Sequence, residues 1–280
     1  MSGPTDLTFI LPAYNERATI GATIDGAAAY FNNRGIRAEI IVAADGDDGT
    51  RELVAQKALG NADLKVIGHQ TRGGKGRGIR EAVALARGQI IGYADADGKV
   101  PIEEYEQIEP ALREGFRVVM GSRALEESKV LRRQPWYRRF GATGFYYYMQ
   151  TVIGLPGIRD TQCGFKFFDR NAARALFHFQ KVDGYMFDVE ILSLARRFGF
   201  SVKEVPIRWR DDGDSRLRLL SGNLRNGIDI FKIRHALSRL DNGTVASQMA
   251  MLETQDSFRS DGTSCIHLSL ARPGSSAAAS

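Results

Sequence analysis

Short apolar runs alternate with amphipathic stretches along most of this chain. Residues 7–11 form an apolar run closed by Pro12, which predicts a buried strand, with residues 12–16 as the loop that follows. Residues 19–31 carry apolar side chains at helical spacing. Residues 39–44 predict a second buried strand, 51–59 a second helix and 64–68 a third short strand. A helical pattern covers 79–87, and the apolar run from Ile90 to Ala94 ends abruptly in polar residues. Residues 102–114 read as helix and 118–123 as strand. Helices are expected again at 170–177 and from Tyr185 to about Phe198, and 202–209 reads as a closing strand. Strand alternating with helix is the order of an α/β protein with a mostly parallel central sheet and crossover helices. In such sheets ligands gather at the carboxyl ends of the strands. Three polar loops fall there, around Glu16, Asp45 and Asp95.

Two segments depart from this rhythm. Residues 131–140 are basic with interleaved aromatics (Arg132, Arg133, Trp136, Tyr137, Arg138, Arg139) and run into an aromatic stretch at 144–149. Arginine beside Trp and Tyr suits a membrane interface or a bound polyanion, and equally a helix packed on the sheet with a solvated basic edge. Residues 215–240 place Leu217, Leu220, Leu224, Ile228, Phe231 and Leu240 near helical spacing, with Arg216, Arg218, Arg225, Lys232, Arg234 and Arg239 on the other side. This basic amphipathic pattern fits an anionic membrane surface, a partner helix or the protein's own core. Gly222 and Gly227 weaken it as one continuous helix. The expected organisation is one α/β domain over 1–212, the amphipathic segment at 213–240 and a polar, flexible tail over 241–280.

Composition narrows the partners. The 280 residues carry a net charge of +5, which favours an anionic ligand such as a nucleotide, a phosphate or an acidic membrane surface. The two cysteines, Cys163 and Cys265, lack metal-ligand spacing and suit a reducing compartment. Neither a secretory leader nor an apolar run of about 18 residues is evident, so a cytoplasmic protein, able to lie on the cytoplasmic face of a membrane, is expected. No nucleic-acid-binding module is recognisable.

The candidate chemistry centres on Asp95-Ala96-Asp97-Gly98 at a strand end. Alternation along an extended strand sends Asp95 and Asp97 to the same side. Two converging carboxylates call for a cation between them, and hard divalent ions such as Mg²⁺ or Mn²⁺ combine one or two carboxylates with substrate phosphates. A solvated turn would use the same residues. Upstream, Arg72-Gly73-Gly74-Lys75-Gly76-Arg77-Gly78 precedes a helix. Its glycines, helix-start amides and cations suit a diphosphate, though its spacing is neither that of a P-loop nor of a dinucleotide fingerprint. Asp160 and Lys166 stand out in the run from Ile158 to Phe168. Asp188 and Glu190 open the later helix, where first-turn acids are also ordinary.

Taken together, the ordered set of motifs resembles the inverting glycosyltransferases of family 2, over about residues 7–240. It comprises Pro12-Ala13-Tyr14-Asn15-Glu16, Gly74-Lys75-Gly76, Asp95-Ala96-Asp97-Gly98 and Gly121-Ser122-Arg123. The runs Arg159 to Lys166, Phe187 to Glu190 and Gly213 to Leu217 complete it. The run from Arg159 to Lys166 tips the likeness toward the dolichyl-phosphate β-glucosyltransferases, with the dolichyl-phosphate mannose synthases as cousins.

The resemblance implies a GT-A fold and roles at matching positions. Pro12, Tyr14 and Glu16 would line the nucleotide-sugar pocket, and Asp45 would hold the base or ribose. Lys75 would sit near the diphosphate. Asp95 and Asp97 would bind Mg²⁺ or Mn²⁺, with Asp97 the more direct ligand. Arg123, Arg132, Arg133, Arg138, Arg139 and Lys166 would meet the acceptor phosphate. The family usually has two adjacent aspartates after the second strand. Here Ala44 takes the first place, which leaves UDP and GDP both open. A polyprenyl phosphate acceptor needs no general base, whereas a hydroxyl acceptor needs a carboxylate, for which Asp160 and Asp188 are the candidates. Expected readings are therefore glucose transfer from UDP-glucose to a polyprenyl phosphate, mannose transfer from GDP-mannose to it, a soluble transferase acting on a hydroxyl, or a nucleotide-sugar-binding subunit without turnover.

Overall fold

The computed structural model describes residues 5–130, 151–210, 219–241, 243, 245–247 and 250. The chain begins with β1 (Leu7–Tyr14), α1 (Ile20–Asn33), β2 (Ala38–Asp45), α2 (Thr50–Ala58), β3 (Leu64–Ile67), α3 (Lys75–Leu85) and β4 (Ile90–Ala94). A 3-10 turn at Ile102–Glu104 leads into α4 (Tyr105–Arg113), β5 (Val118–Ser122) and the short β6 (Lys129–Val130). Then come β7 (Phe165–Asp169), α5 (Arg170–Phe179), α6 (Phe187–Arg197), β8 (Val202–Pro206), β9 (Arg208–Trp209) and α7 (Leu219–Ser238).

One seven-stranded sheet runs in the order β3-β2-β1-β4-β7-β5-β8. All its pairings are parallel except those of β7, which is antiparallel to both β4 and β5. Alternation sorts its side chains into two cores. Leu7, Phe9, Leu11, Ile40, Val42 and Phe167 pack under α1 and α4 on one face. Ile10, Ile41, Tyr93, Met120 and Phe168 pack under α3, α5, α6 and α7 on the other. This α/β architecture agrees with the pattern of the sequence, and the polar loops around Glu16, Asp45 and Asp95 do cluster at the carboxyl ends of β1, β2 and β4.

Several details differ from the expectation. β1 continues through Pro12 to Tyr14, because β1 is paired with β4 only as far as Ile10 while its pairing with β2 persists to Tyr14↔Asp45. β7 has no counterpart among the predicted strands. It is buried on both faces, so its Phe-Lys-Phe-Phe run shows no polar alternation to mark it. The expected strand over 202–209 divides into β8 and β9, and β9 pairs with β6 in a separate two-stranded sheet. α7 is one 20-residue helix despite Gly222 and Gly227. Its Ile230 and Ile233 are fully buried against the α3–α6 side of the core, and tertiary packing of this kind outweighs low propensity. Ile228 and Phe231 remain exposed. The basic stretch with Arg132, Arg133, Arg138 and Arg139 lies outside the described residues, as do Gly213 to Leu217 and most of the expected tail.

Candidate active site

The loop after β1 is held against the loop after β2. Asn15, at the turn, has a left-handed backbone with φ of 54°. Glu16 N–H donates to Thr50 Oγ1 at 3.0 Å, and Arg17 N–H donates to Asp48 Oδ2 at 3.0 Å. Glu16 itself turns toward α1: its carboxylate accepts from Thr19 Oγ1 at 3.0 Å, and its carbonyl accepts from Thr19 and Ile20 N–H. Glu16 therefore secures the start of α1, a local capping role that the resemblance did not suggest. Tyr14 stands 38 % exposed at the end of β1, with the Arg72 guanidinium 4.4 Å from its ring centroid. Arg72 also donates to the Tyr185 hydroxyl at 3.0 Å.

Asp45 lies beside Tyr14 across the β1–β2 pair. Both its carboxylate oxygens accept backbone N–H groups, from His69 at 3.0 Å and Gly73 at 2.7 Å. Asp45 thus fixes the loop that presents Arg72. Ala44 is fully buried in the core, so the departure from the paired-aspartate pattern falls on a side chain turned away from the loops.

The glycine-rich run differs from the expected phosphate cradle. α3 starts at Lys75, four residues earlier than its apolar pattern suggested. The N–H groups of Gly76 and Arg77 both point at the Asp183 carbonyl, at 2.9 and 3.4 Å. A Cβ at Gly74 would meet Asp183 O at 2.3 Å, and one at Gly76 would meet Val182 O at 2.5 Å. These glycines admit the backbone of residues 182–183. Lys75 supplies the cation of this loop, and its Nζ lies 2.6 Å from Asp95 Oδ1. Burial pulls the Lys75 amine down, but the charges of Asp95 and then Asp188 outweigh it and hold the pKa above its ordinary value.

Asp95 and Asp97 follow β4 directly. The Asp95 side chain is 45 % exposed and that of Asp97 35 %. Asp97 accepts from Lys99 Nζ at 3.1 Å and from Lys99 N–H at 3.2 Å. The Asp95 N–H donates to Gly164 O at 3.0 Å, and Thr23 Oγ1 on α1 donates to Ala96 O at 3.0 Å. Gly164 makes room for the carboxylate, since a Cβ there would sit 2.1 Å from Asp95 Oδ2. Two half-exposed carboxylates one residue apart, in a recess shaped for one of them, form a donor set that fits a hard divalent ion completed by substrate oxygens. Among the described residues, no cluster of three or more His, Cys, Asp or Glu side chains could hold a metal.

On the far side of Gly164, Arg123 grips Asp160 through two side-chain N–H groups, Nε at 2.7 Å and Nη2 at 2.8 Å, and donates its own backbone N–H at 3.0 Å. The guanidinium lies 5.5 Å from the Trp209 ring centroid. Burial pushes the Asp160 carboxyl up, yet the Arg123 guanidinium prevails and holds it below its ordinary value of 3.8. A carboxyl depressed on folding contributes stability above its unfolded pKa and loses it as pH falls through the folded one. The stability gap between wild type and Asp160→Asn, measured by urea unfolding, should therefore be widest near pH 7 and close as pH falls below about 4.

Three expected roles are corrected by burial. Lys166, expected at the acceptor phosphate, is fully buried on β7, an interior strand. Asp188, a candidate general base, is 3 % exposed and paired with Lys166 Nζ at 2.5 Å. Asp160, the other candidate base, is locked to Arg123. Glu190 accepts the N–H groups of Lys181 and Val182. Cys163 is buried, and burial pushes its thiol up to about 12, which leaves it a packing residue. Tyr93 went unnoticed in the sequence: its hydroxyl donates to Asp188 Oδ1 at 2.5 Å. The available signal was a lysine set among the phenylalanines of β7, which demands buried partners.

The profile of glycosyl transferase family 2 matches residues 8–177, a span that includes every loop of this site up to Gly164 and Lys166. A dolichyl-phosphate β-glucosyltransferase of Trichomonas vaginalis is 37 % identical over 238 residues, covering 81 % of this chain and 70 % of its own. Among solved structures, mannosyl-3-phosphoglycerate synthase from Rubrobacter xylanophilus superposes with a TM-score of 0.60 at 19 % identity, over 85 % of this chain and 77 % of its own. A mannosyltransferase from Pyrobaculum calidifontis, solved with GDP-Man and Mn²⁺, gives 0.51 at 17 % identity, over 93 % and 76 %. These two share the fold. With the strand-end carboxylates in place and a curated relative matching across most of its length, this chain belongs to glycosyl transferase family 2, among the dolichyl-phosphate β-glucosyltransferases.

Proposed function

We propose that the chain transfers glucose from UDP-glucose to a dolichyl-type polyprenyl phosphate with inversion at the anomeric carbon. The observation that carries the choice of acceptor is the state of the two candidate bases. Asp160 is tied to Arg123, and Asp188 to Lys166 and Tyr93. A hydroxyl acceptor would need one of them to leave its partner and take a proton. A phosphate monoester is an anion at neutral pH and needs only cations to hold it.

In this reading Tyr14 and Arg72 flank the nucleotide, while Asp45 holds the Arg72 loop. Asp95 and Asp97 would hold Mg²⁺ or Mn²⁺, which when bound would supply electrostatic stabilisation for charge on the leaving diphosphate. Lys75, already at Asp95, adds a second positive group there. Arg123, a third of its side chain exposed, is the described cation on the acceptor side. Arg132, Arg133, Arg138 and Arg139 are proposed to join it.

We also place the enzyme at the cytoplasmic membrane face. No helix among the described residues is long and apolar enough to cross a membrane. Ile228 and Phe231 project from α7 at 49 % and 59 % exposure, three residues apart, beside the exposed Lys232. Apolar side chains edged by lysine suit an anionic interface. Purified protein should form a lipid-linked glucose from labelled UDP-glucose, a divalent metal and long-chain polyprenyl phosphate. Absence of product with UDP-glucose, or faster transfer from GDP-mannose or to simple hydroxyls, would overturn the assignment. The variant Ile228→Ser/Phe231→Ser should bind anionic vesicles about 10-fold less tightly in a flotation assay, while turning over a short water-soluble polyprenyl phosphate normally.

A further inference from the structure

Behind the site lies a buried charge cluster that the proposed chemistry does not use. Tyr93 and Lys166 are cross-strand neighbours on β4 and β7, so both side chains rise from the same face of the sheet. Asp188, the second residue of α6, meets them there. Its Oδ1 accepts both the Tyr93 hydroxyl and Lys166 Nζ, each at 2.5 Å. Lys166 also donates to Thr161 O at 3.2 Å and Cys163 O at 2.7 Å. Three contacts match the three protons of an ammonium group, so this fully buried lysine is satisfied.

Each contact leads back to the site. The Thr161 and Cys163 carbonyls belong to the turn that carries Asp160 at one end and Gly164 at the other. Gly164 in turn accepts the Asp95 N–H and borders the Asp95 carboxylate. Tyr93 precedes Asp95 by two residues. The Lys75 ammonium lies 5.7 Å from the ring centroids of both Tyr93 and Phe187, within cation–π range, and it feels the Asp188 charge besides that of Asp95. One carboxylate thus joins β4, which leads to Asp95, to β7 and, through Lys166, to the turn that carries Asp160, with the Lys75 ammonium over the Tyr93 ring beside it.

We infer that Asp188, with Lys166 and Tyr93, is a positioning unit that sets the diphosphate side and the acceptor side of the site against each other. The inference rests on the proposed roles of Asp95 and Lys75. Stability alone is a poor reason for such a cluster. Replacing a buried ion pair with apolar side chains is often neutral or stabilising, and Phe168 and Phe187 already pack against the Tyr93 ring in the same core. A charged, hydrogen-bonded centre instead fixes direction, which an apolar contact does not.

The test separates stability from geometry. Removing one partner leaves a buried charge and strongly destabilises the protein by itself, so Lys166→Met/Asp188→Leu removes both. This double variant leaves the Tyr93 hydroxyl and the Thr161 and Cys163 carbonyls without their present partners, so it should melt below wild type yet stay folded, and lose kcat about 100-fold, with the KM for UDP-glucose changed less than about 3-fold. The KM should hold because Tyr14 and Asp45 sit at the β1–β2 end, outside the network. Tyr93→Phe keeps the ring and removes one hydrogen bond. Its kcat should fall about 10-fold with the same KM. Wild-type kcat in the folded double variant, or a raised KM at unchanged kcat, would overturn the inference. Should the double variant fail to fold, Tyr93→Phe decides: a kcat within 2-fold of wild type overturns it. Asp97→Ala is assayed alongside. If that variant turns over normally, the reading of the strand-end carboxylates has failed, rather than the positioning unit.

Discussion

Asp97→Ala is expected to lower sugar transfer by about 1,000-fold while leaving the fold intact, an effect of the size seen when a pre-organised electrostatic partner of a transition state is removed. Asp97 sits at the mouth of the site with Lys99 as its described partner, and its side chain contributes nothing to either core. The loop around it is held by other groups, Thr23 to Ala96 O and Asp95 N–H to Gly164 O. Its melting temperature should therefore stay within about 2 °C of wild type. A chelator should stop wild-type turnover, and Mn²⁺ should restore it. In Asp97→Ala, Mn²⁺ at any concentration should fail to do so. Wild-type-like turnover in the variant would mean that the strand-end carboxylates do not form the reactive centre.

The second large effect comes from a residue with no side chain. Gly164→Ala should lower kcat about 100-fold although it replaces no charged group. Its backbone is not left-handed, so alanine is tolerated conformationally. The added Cβ, however, would lie 2.1 Å from Asp95 Oδ2 and 2.5 Å from its Cγ. The carboxylate must move to another rotamer, and that breaks its 2.6 Å contact with Lys75. Because the displaced group is the end of a side chain at a half-exposed position, thermal stability should change little. Normal kcat with the usual metal dependence would show that the placement of Asp95 is unimportant. Together the two variants distinguish loss of a ligand from its misplacement: excess Mn²⁺ should partly rescue Gly164→Ala and leave Asp97→Ala inactive.

The sequence by itself determined the architecture and the edge of the sheet at which the polar loops gather. Apolar runs at strand length, alternating with helical patterns at 19–31 and 102–114, are enough to specify a sheet with crossover helices. The polar residues that end β1, β2 and β4 must then gather at one edge. That inference is local, because period and turn chemistry are properties of neighbours in the chain. It carried Tyr14, Asp45, Asp95 and Asp97 to one edge of the sheet. β7 escaped it, since a strand buried on both faces has lost the alternation that betrays a half-buried one.

The role of each charge was decided only by tertiary structure. Asp160, Lys166 and Asp188 read in the sequence as polar residues available for an acceptor. In the fold, Asp160 meets Arg123, 37 residues away, and Lys166 meets Asp188, 22 residues away, in places that water hardly reaches. The glycines of the Lys75 loop read as a cradle for phosphate, and they serve the approach of Asp183, more than a hundred residues downstream. The free energy of a charge or of a bare backbone amide depends on what the fold brings within a few ångströms, whether water, a counter-charge or a carbonyl. Chain order does not contain that distance. Asp95 and Asp97 kept their outward station because they stand at the end of a strand, where the sheet stops and solvent begins.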